Sequence, residues 1–243
     1  MKEFRLRQIG CAVVAAIAIC GCTAADDPEM ASAEATANDW VTLFNGENLD
    51  GWHTYNKDTT SPAWIVEDGA IVLNTDNSND ERIGGDLITD KQYENFELEL
   101  EWKISKGGNS GIFFGVREIE GMTDGYETGL EMQVLDNAEH SDGQVPLTSA
   151  GACYGLYPPS ENVVRPVGEY NQVRLVVDQG KVEHWLNGVM VTAYDMNSAD
   201  WAERIENSKF KDWEHFAKYR KGHIGLQDHT DRVSFRNIRI RVL

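Results

Sequence analysis

The chain has 243 residues, 40 of them acidic and 22 basic, for a formal net charge of −18. That balance excludes an electrostatic nucleic-acid binder, which needs a basic patch to neutralise phosphates, and it disfavours docking on an anionic membrane surface. At 41% hydrophobic and 26% charged residues the composition is that of a globular chain, with length for one large domain or two small ones.

The first elements are addresses rather than structure. Residues 1–21, MKEFRLRQIGCAVVAAIAICG, read as a lipoprotein signal peptide. Lys2, Arg5 and Arg7 make a basic start, and the apolar run 9–19 is short of the roughly 20 residues that a membrane span needs. It ends in Ile19-Cys20-Gly21-Cys22, which resembles a bacterial lipobox with Cys22 as the lipidated residue. Cleavage there removes three basic residues and one acidic, moving the charge from −18 to −20. Residues 22–38 are small and acidic without an apolar period, as expected of a flexible tether. The expectation is a protein of the bacterial cell envelope, periplasmic or surface-facing, that meets the membrane only through this lipid. Cys153 is then the one cysteine left in the folded part, so no intrachain disulfide is expected and a large core must supply the stability.

From 39 to 243 a period of two dominates, and it predicts one domain. FELELEW (96–102) alternates apolar with Glu97, Glu99 and Glu101. NQVRLVV (171–177) and KVEHWLNGV (181–189) are joined by Asp178-Gln179-Gly180, a tight-hairpin signal. Further strands are predicted at 64–66, 70–73, 110–116, 127–135, 223–227 and 233–242, separated by Asn45-Gly46, Asp68-Gly69, Lys106-Gly107-Gly108 and Asn187-Gly188. Strands so spaced, with few helices between them, describe an all-β sandwich or jelly roll. Residues 198–219 are the exception. Ser198 can cap a helix that aligns Trp201 with Ile205, and one or two short inserted helices are expected there.

Three of the strands put unusual polar groups on one face. Glu127, Gly129, Glu131 and Gln133 alternate with Leu130, Met132 and Val134; His223, Gly225, Gln227 and His229 alternate with Ile224 and Leu226; Asn109, Gly111 and Phe113 oppose Ile112 and Phe114. Glycine in a strand leaves room for close approach of a ligand. If these strands are neighbours, Asn109, Glu131, Gln133, Gln227 and His229 form one sugar-sized polar surface, with Trp or Tyr at its rim. The alternative is a solvated outer face of a sandwich. The loop 135–159 gathers Asp136, Asn137, His140 and Asp142 before Tyr154 and Tyr157. These groups suit either a divalent metal or a set of Asx turns, and no spacing among them is diagnostic. His184 and Trp185 face opposite ways in a strand, so either one can be core; Trp185 is a stacking candidate for sugar.

Conventional glycoside hydrolysis finds little support. It requires two carboxylates about 5–9.5 Å apart. Glu127 and Glu131 share a face, but four strand residues would separate them by about 13 Å. The chain contains no Glu-x-Asp-x-x-Glu pattern across 127–136, no Gly-x-Ser-x-Gly and no His-Glu-x-x-His.

The segments WVTLFNGENLDGW, NSGIFFGVRE, YETGLEMQVLDN with the following His-Ser-Asp, AGACYGLYPPSENVV, VEHWLNGV and GHIGLQDH…VSFRNIRI resemble, in order, the 3-keto-disaccharide hydrolase family. The resemblance covers 39–243. It implies a concanavalin A-like, laminin-G-like jelly roll, and glycoside substrates first oxidised to a ketone at C3. The ketone acidifies the C2 hydrogen; a base removes it, the C1 aglycone leaves by β-elimination, and water adds back. On that implied chemistry His229 and Glu131 are the candidate base and acid, in either order. Asn109, Gln133 and Gln227 would bind hydroxyls or the developing oxyanion, and Tyr154 would protonate or bind the leaving group. Asp136, His140 and Trp185 are further substrate-binding candidates. Metal assistance suits an enolate, and the sequence does not decide it. No dinucleotide fingerprint is present, so the ketone is expected from a separate flavin or nicotinamide sugar 3-dehydrogenase. Gly115 stands where the family implies a longer side chain, often Arg, which suggests a widened pocket. A non-catalytic sugar-binding module of the same fold is the second reading.

Overall fold

A computed structural model describes residue 1 and residues 39–75 and 84–243. The signal peptide, the tether and the lipidation of Cys22 fall outside the described residues. Thirteen strands and one helix follow in order: β1 (Val41–Thr42), β2 (Trp52–Thr54), β3 (Trp64–Glu67), β4 (Ala70–Leu73), β5 (Leu87–Tyr93), β6 (Phe96–Ile104), β7 (Asn109–Val116), β8 (Leu130–Leu135), β9 (Asn171–Asp178), β10 (Lys181–Leu186), β11 (Val189–Asp195), α1 (Ala199–Glu206), β12 (Gly222–Leu226) and β13 (Val233–Val242). They form two antiparallel sheets. One runs β11-β10-β9-β6-β13-β4-β3, with β1 added on β13; the other runs β2-β5-β12-β7-β8.

Alternation decides which residues enter the sandwich. On β6, Phe96, Leu98, Leu100 and Trp102 are buried. The intervening glutamates meet arginines of β13 across the register: Glu101 with Arg236 at 2.8 Å, Glu99 with Arg239 at 2.8 Å, and Glu97 with Arg241. Ile112 and Phe114 of β7, Leu130, Met132 and Val134 of β8, and Ile224 and Leu226 of β12 face this core from the other sheet. The result is a β-sandwich with a single described helix.

Local chemistry sets the connections. Gln179 and Gly180 both have positive φ, 49° and 87°, the geometry of a two-residue hairpin turn between β9 and β10. Asn187 and Gly188 repeat it, so the predicted strand 181–189 ends at Leu186 and a new strand, β11, follows. Ser198 caps α1 by accepting from Trp201 N at 3.1 Å. The predicted strand 127–135 begins only at Leu130. A 3₁₀ turn over Gly125–Glu127 precedes it, closed by Glu127 Oε1 accepting from Thr123 N at 2.9 Å and Asp124 N at 3.2 Å.

The outer face of the five-stranded sheet is not simply solvated. Tyr55, Ile88, Phe113 and Val116 make a second, smaller buried cluster there, with Met122 and Tyr126 packed on it. The segment 117–129 thus covers the middle of this face and leaves a cavity at one end.

Candidate active site

That cavity has a volume of about 400 Å³ and is lined by Asn109, Tyr126, Gly129, Glu131, Gln133, Tyr154, Lys209, Phe210, Trp213, Phe216, Gln227 and His229. β7 and β8 pair with Gly111 opposite Gln133, and Gly111 N–H and C=O neighbours continue the floor toward β12, where Gln227 N donates to Gly111 O at 3.0 Å. The strand period therefore delivers Asn109, Glu131, Gln133 and Gln227 to one surface. Gly111 provides the room: a Cβ there would lie 2.3 Å from Glu131 Oε1.

Tyr154 arrives by backbone pairing along the free edge of β8. Tyr154 N donates to Glu131 O at 3.1 Å, and Gly151 N to Gln133 O at 2.9 Å. Burial raises the Tyr154 pKa, and the charges of Asp142 and Glu131 raise it further, so the phenol keeps its proton. His229 sits in a loop fixed by two aspartates. Asp228 Oδ2 accepts from Gly84 N and Gly85 N at 2.8 and 2.9 Å, and Asp231 Oδ2 accepts from Asn109 N at 2.9 Å. Asn109 Nδ2 lies 3.5 Å from His229 Nε2.

Three amide side chains lining the cavity carry oxygens that the protein leaves unpaired. Asn109 Oδ1, Gln133 Oε1 and Gln227 Oε1 are buried without a hydrogen-bond partner. The Gln133 amide nitrogen donates to Thr148 O at 3.0 Å; a carbonyl only accepts, which fixes the oxygen as the group left over. Buried acceptors left open are costly and mark a place where a ligand's donors belong.

Other sequence-predicted residues go elsewhere. Asp136 is buried, but it caps backbone: its carboxylate accepts from Gly107 N at 2.8 Å and Ala138 N at 3.0 Å. It lines a separate depression with Asn137. His140 caps the next turn by accepting from Asp142 N at 3.1 Å, and its ring meets the His229 ring edge-on at 6.4 Å, so it stands behind His229. Trp185 lies on the outer face of the other sheet, lining a groove with Arg174, Glu99 and Arg239. Its face takes the Arg174 guanidinium and its N–H goes to Glu183 at 2.8 Å. The parity argument put His184 and Trp185 on opposite sides, and His184 is the core residue of the pair. Gly115 has φ 68° and is not among the cavity's lining residues; a Cβ there would sit 2.9 Å from Tyr219 O. Its glycine answers a backbone demand, whatever the width of the pocket. Among the described residues no group of three or more His, Cys, Asp or Glu side chains is placed to hold a metal ion.

Sequence reasoning missed the aromatic wall and Lys209. Segment 208–219 is not helical; it makes successive three-residue turns, with Trp213 N donating to Phe210 O at 3.0 Å and Phe216 N to Trp213 O at 3.3 Å. These turns bring Phe210, Trp213 and Phe216 to one side. Phe210 and Phe216 stack at 3.9 Å, and Trp213 meets Tyr126 at 5.9 Å. The spacing of three was the available signal. Lys209 lies on this wall with its nitrogen 4.5 Å from the centre of the Tyr154 ring.

Fold and site together define a jelly-roll protein with a cavity of polar floor and aromatic wall. The family model for the 3-keto-alpha-glucoside-1,2-lyase-like domain matches residues 39–241, and the chain belongs to that enzyme family. A Bacteroides thetaiotaomicron protein named 3-keto-disaccharide hydrolase is 36% identical over 230 residues, covering 85% of this chain and 79% of the relative. A crystal structure of a candidate glycosyl hydrolase from Parabacteroides distasonis superposes with a TM-score of 0.75 at 31% identity, over 84% of this chain and 94% of that one. A Bacillus subtilis protein with a galectin-like fold matches with a TM-score of 0.57 at 12% identity, over 86% of this chain and 96% of that one, a likeness of fold alone.

Proposed function

We propose that the protein cleaves 3-keto-glycosides, 3-keto-disaccharides among them, by elimination and rehydration rather than by direct displacement. One observation carries this reading: among the described residues lining the cavity Glu131 is the single carboxylate, and it shares the cavity with His229 and three amides whose oxygens have no hydrogen-bond partner. Direct glycoside hydrolysis uses a carboxylate pair astride the bond. Elimination next to a ketone uses one base, one acid and charge stabilisation. Among the described lining residues, Glu131 and His229 are the two side chains able to take up the C2 proton. Tyr154, with its proton held on, protonates the aglycone oxygen. Asn109, Gln133 and Gln227 accept hydrogen bonds from sugar hydroxyls, and Trp213 and Tyr126 offer ring faces.

The test is turnover of 3-keto-disaccharides beside the parent sugars, for the wild type, Glu131→Gln and His229→Asn, each with and without chelator. The variant that lacks the base should lose exchange of the C2 hydrogen together with cleavage. Cleavage of parent sugars at equal rate would overturn the reading. Binding of both sugars without turnover would favour the sugar-binding module.

We also propose export as a lipoprotein modified on Cys22, with the ketone supplied by a separate sugar 3-dehydrogenase. The support is the leader sequence and the lack of a dinucleotide fingerprint. Labelling with a fatty acid that disappears in Cys22→Ala tests the anchor.

A further inference from the structure

Removal of the C2 proton puts negative charge on the C3 oxygen of the sugar, and that oxygen needs a donor or a cation beside it. The amides lining the cavity leave acceptors without partners and carry no charge. Gln133 gives one N–H to Thr148 O, the Asn109 nitrogen lies 3.5 Å from His229 Nε2, and the oxygens of Asn109, Gln133 and Gln227 have no partner. Amide oxygens accept from hydroxyls and repel an oxyanion. Tyr154 has one O–H, and the leaving oxygen requires it.

Lys209 is the one lysine or arginine among the described residues that line the cavity. Its nitrogen lies 4.5 Å from the centre of the Tyr154 ring, 5.1 Å from Phe210 and 5.9 Å from Trp213. Ring faces hold an ammonium through their quadrupole and leave its three N–H donors for a ligand. Burial draws the Lys209 pKa down, and the charges of Glu131 and Asp142 hold it up. The cation is thereby kept within electrostatic reach of Glu131 in a partly dry site, where a charge acts most strongly.

We infer that Lys209 is a catalytic residue whose ammonium binds the C3 ketone oxygen of the substrate and holds the negative charge of the enolate. The inference rests on the elimination reading above. The base takes the C2 proton, and the C–H electron pair becomes the C2–C3 double bond while the carbonyl pair moves onto O3 against Lys209. O3 then re-forms its carbonyl, the C2–C3 pair shifts to C1–C2, and the C1–O bond breaks with its pair on the aglycone oxygen, which takes the Tyr154 proton. Water adds across C1–C2, its hydroxide to C1 and its proton to C2. Tyr154 regains its proton from the base. No electrons are gained or lost overall.

The experiment measures cleavage of a 3-keto-disaccharide and deuterium incorporation at C2 in the full-length protein, in Lys209→Met, and in Lys209→Cys before and after alkylation with 2-bromoethylamine. Lys209→Met should lose about 10²–10³-fold in kcat and in C2 exchange, as for removal of an oxyanion donor, with KM changed only a few-fold. Alkylation restores an amine at nearly the same reach and should recover at least a tenth of wild-type kcat, which a loss of folding could not do. Exchange in Lys209→Met within threefold of wild type would overturn the inference, as would no recovery in an alkylated variant of wild-type Tm. A borohydride-stable adduct on Lys209 would also overturn it, because an iminium would then replace the ammonium. An inactive wild type is a different result: it removes the elimination reading itself.

Discussion

Gly111 and Glu131 occupy the same few cubic ångströms of the sheet surface: a Cβ on Gly111 would lie 2.3 Å from Glu131 Oε1 and 2.8 Å from its Cδ. The atoms in the way belong to the end of a flexible side chain, so Gly111→Ala moves the carboxylate more than it strains the fold. A misplacement of about 1 Å costs on the order of 10²-fold in rate. Gly111→Ala should therefore keep a Tm within a few degrees of wild type and lose that much kcat, measured on a 3-keto-glycoside.

The open amide oxygens imply a trade between stability and binding. Gln227→Met removes a buried acceptor that has no partner in the ligand-free protein, so stability should hold or rise by up to about 1 kcal/mol. The same change removes an acceptor for a sugar hydroxyl, and KM should rise about tenfold. Denaturant unfolding and steady-state kinetics on one preparation check both signs.

His184 makes the core acid-sensitive. It is fully buried, its Nδ1 donates to Gly151 O at 3.0 Å, and its Nε2 accepts from Tyr194 OH at 3.3 Å, so the ring is neutral. Burial lowers its pKa to about 4, against the backbone hydrogen bond to Gly151 that raises it. Below its ordinary value of 6.5 the unfolded chain binds a proton that the folded chain does not, so stability present at neutral pH declines from 6.5 down to about 4. The loss is on the order of 3 kcal/mol. Unfolding free energy measured across that range should show this slope, and His184→Gln should flatten it.

Gly115→Arg separates backbone from pocket. With φ at 68° and Tyr219 O only 2.9 Å from any Cβ, a side chain here is strained whatever its chemistry. The variant should lose about 1–3 kcal/mol of stability, with an unchanged ranking of substrates. A narrowed substrate range at unchanged Tm would restore the specificity role expected from the sequence.

The sandwich was legible because strands with one buried face must alternate, and β6, β9 and the second half of β13 do so plainly. β5 was not legible: LITDKQY buries Leu87, Ile88 and Thr89 and then exposes Asp90 and Lys91, which blurs the period. The floor of the cavity followed from parity, since Asn109, Glu131, Gln133 and Gln227 all oppose core residues. The wall did not. Lys209 and Trp213 sit in consecutive turns whose three-residue spacing mimics a frayed helix, and only tertiary packing shows which way they face. Asp136 and Trp185 had the right chemistry in the wrong place: one caps a turn and the other belongs to the opposite sheet. Distance across the sandwich is invisible to periodicity.

The most direct test follows 3-keto-trehalose or 3-keto-lactose by NMR in D₂O with the wild-type protein, beside the unoxidised sugars. The account predicts cleavage of the keto forms alone, with deuterium appearing at C2. Cleavage of the unoxidised sugars without exchange at C2 would contradict it and return the protein to conventional hydrolysis.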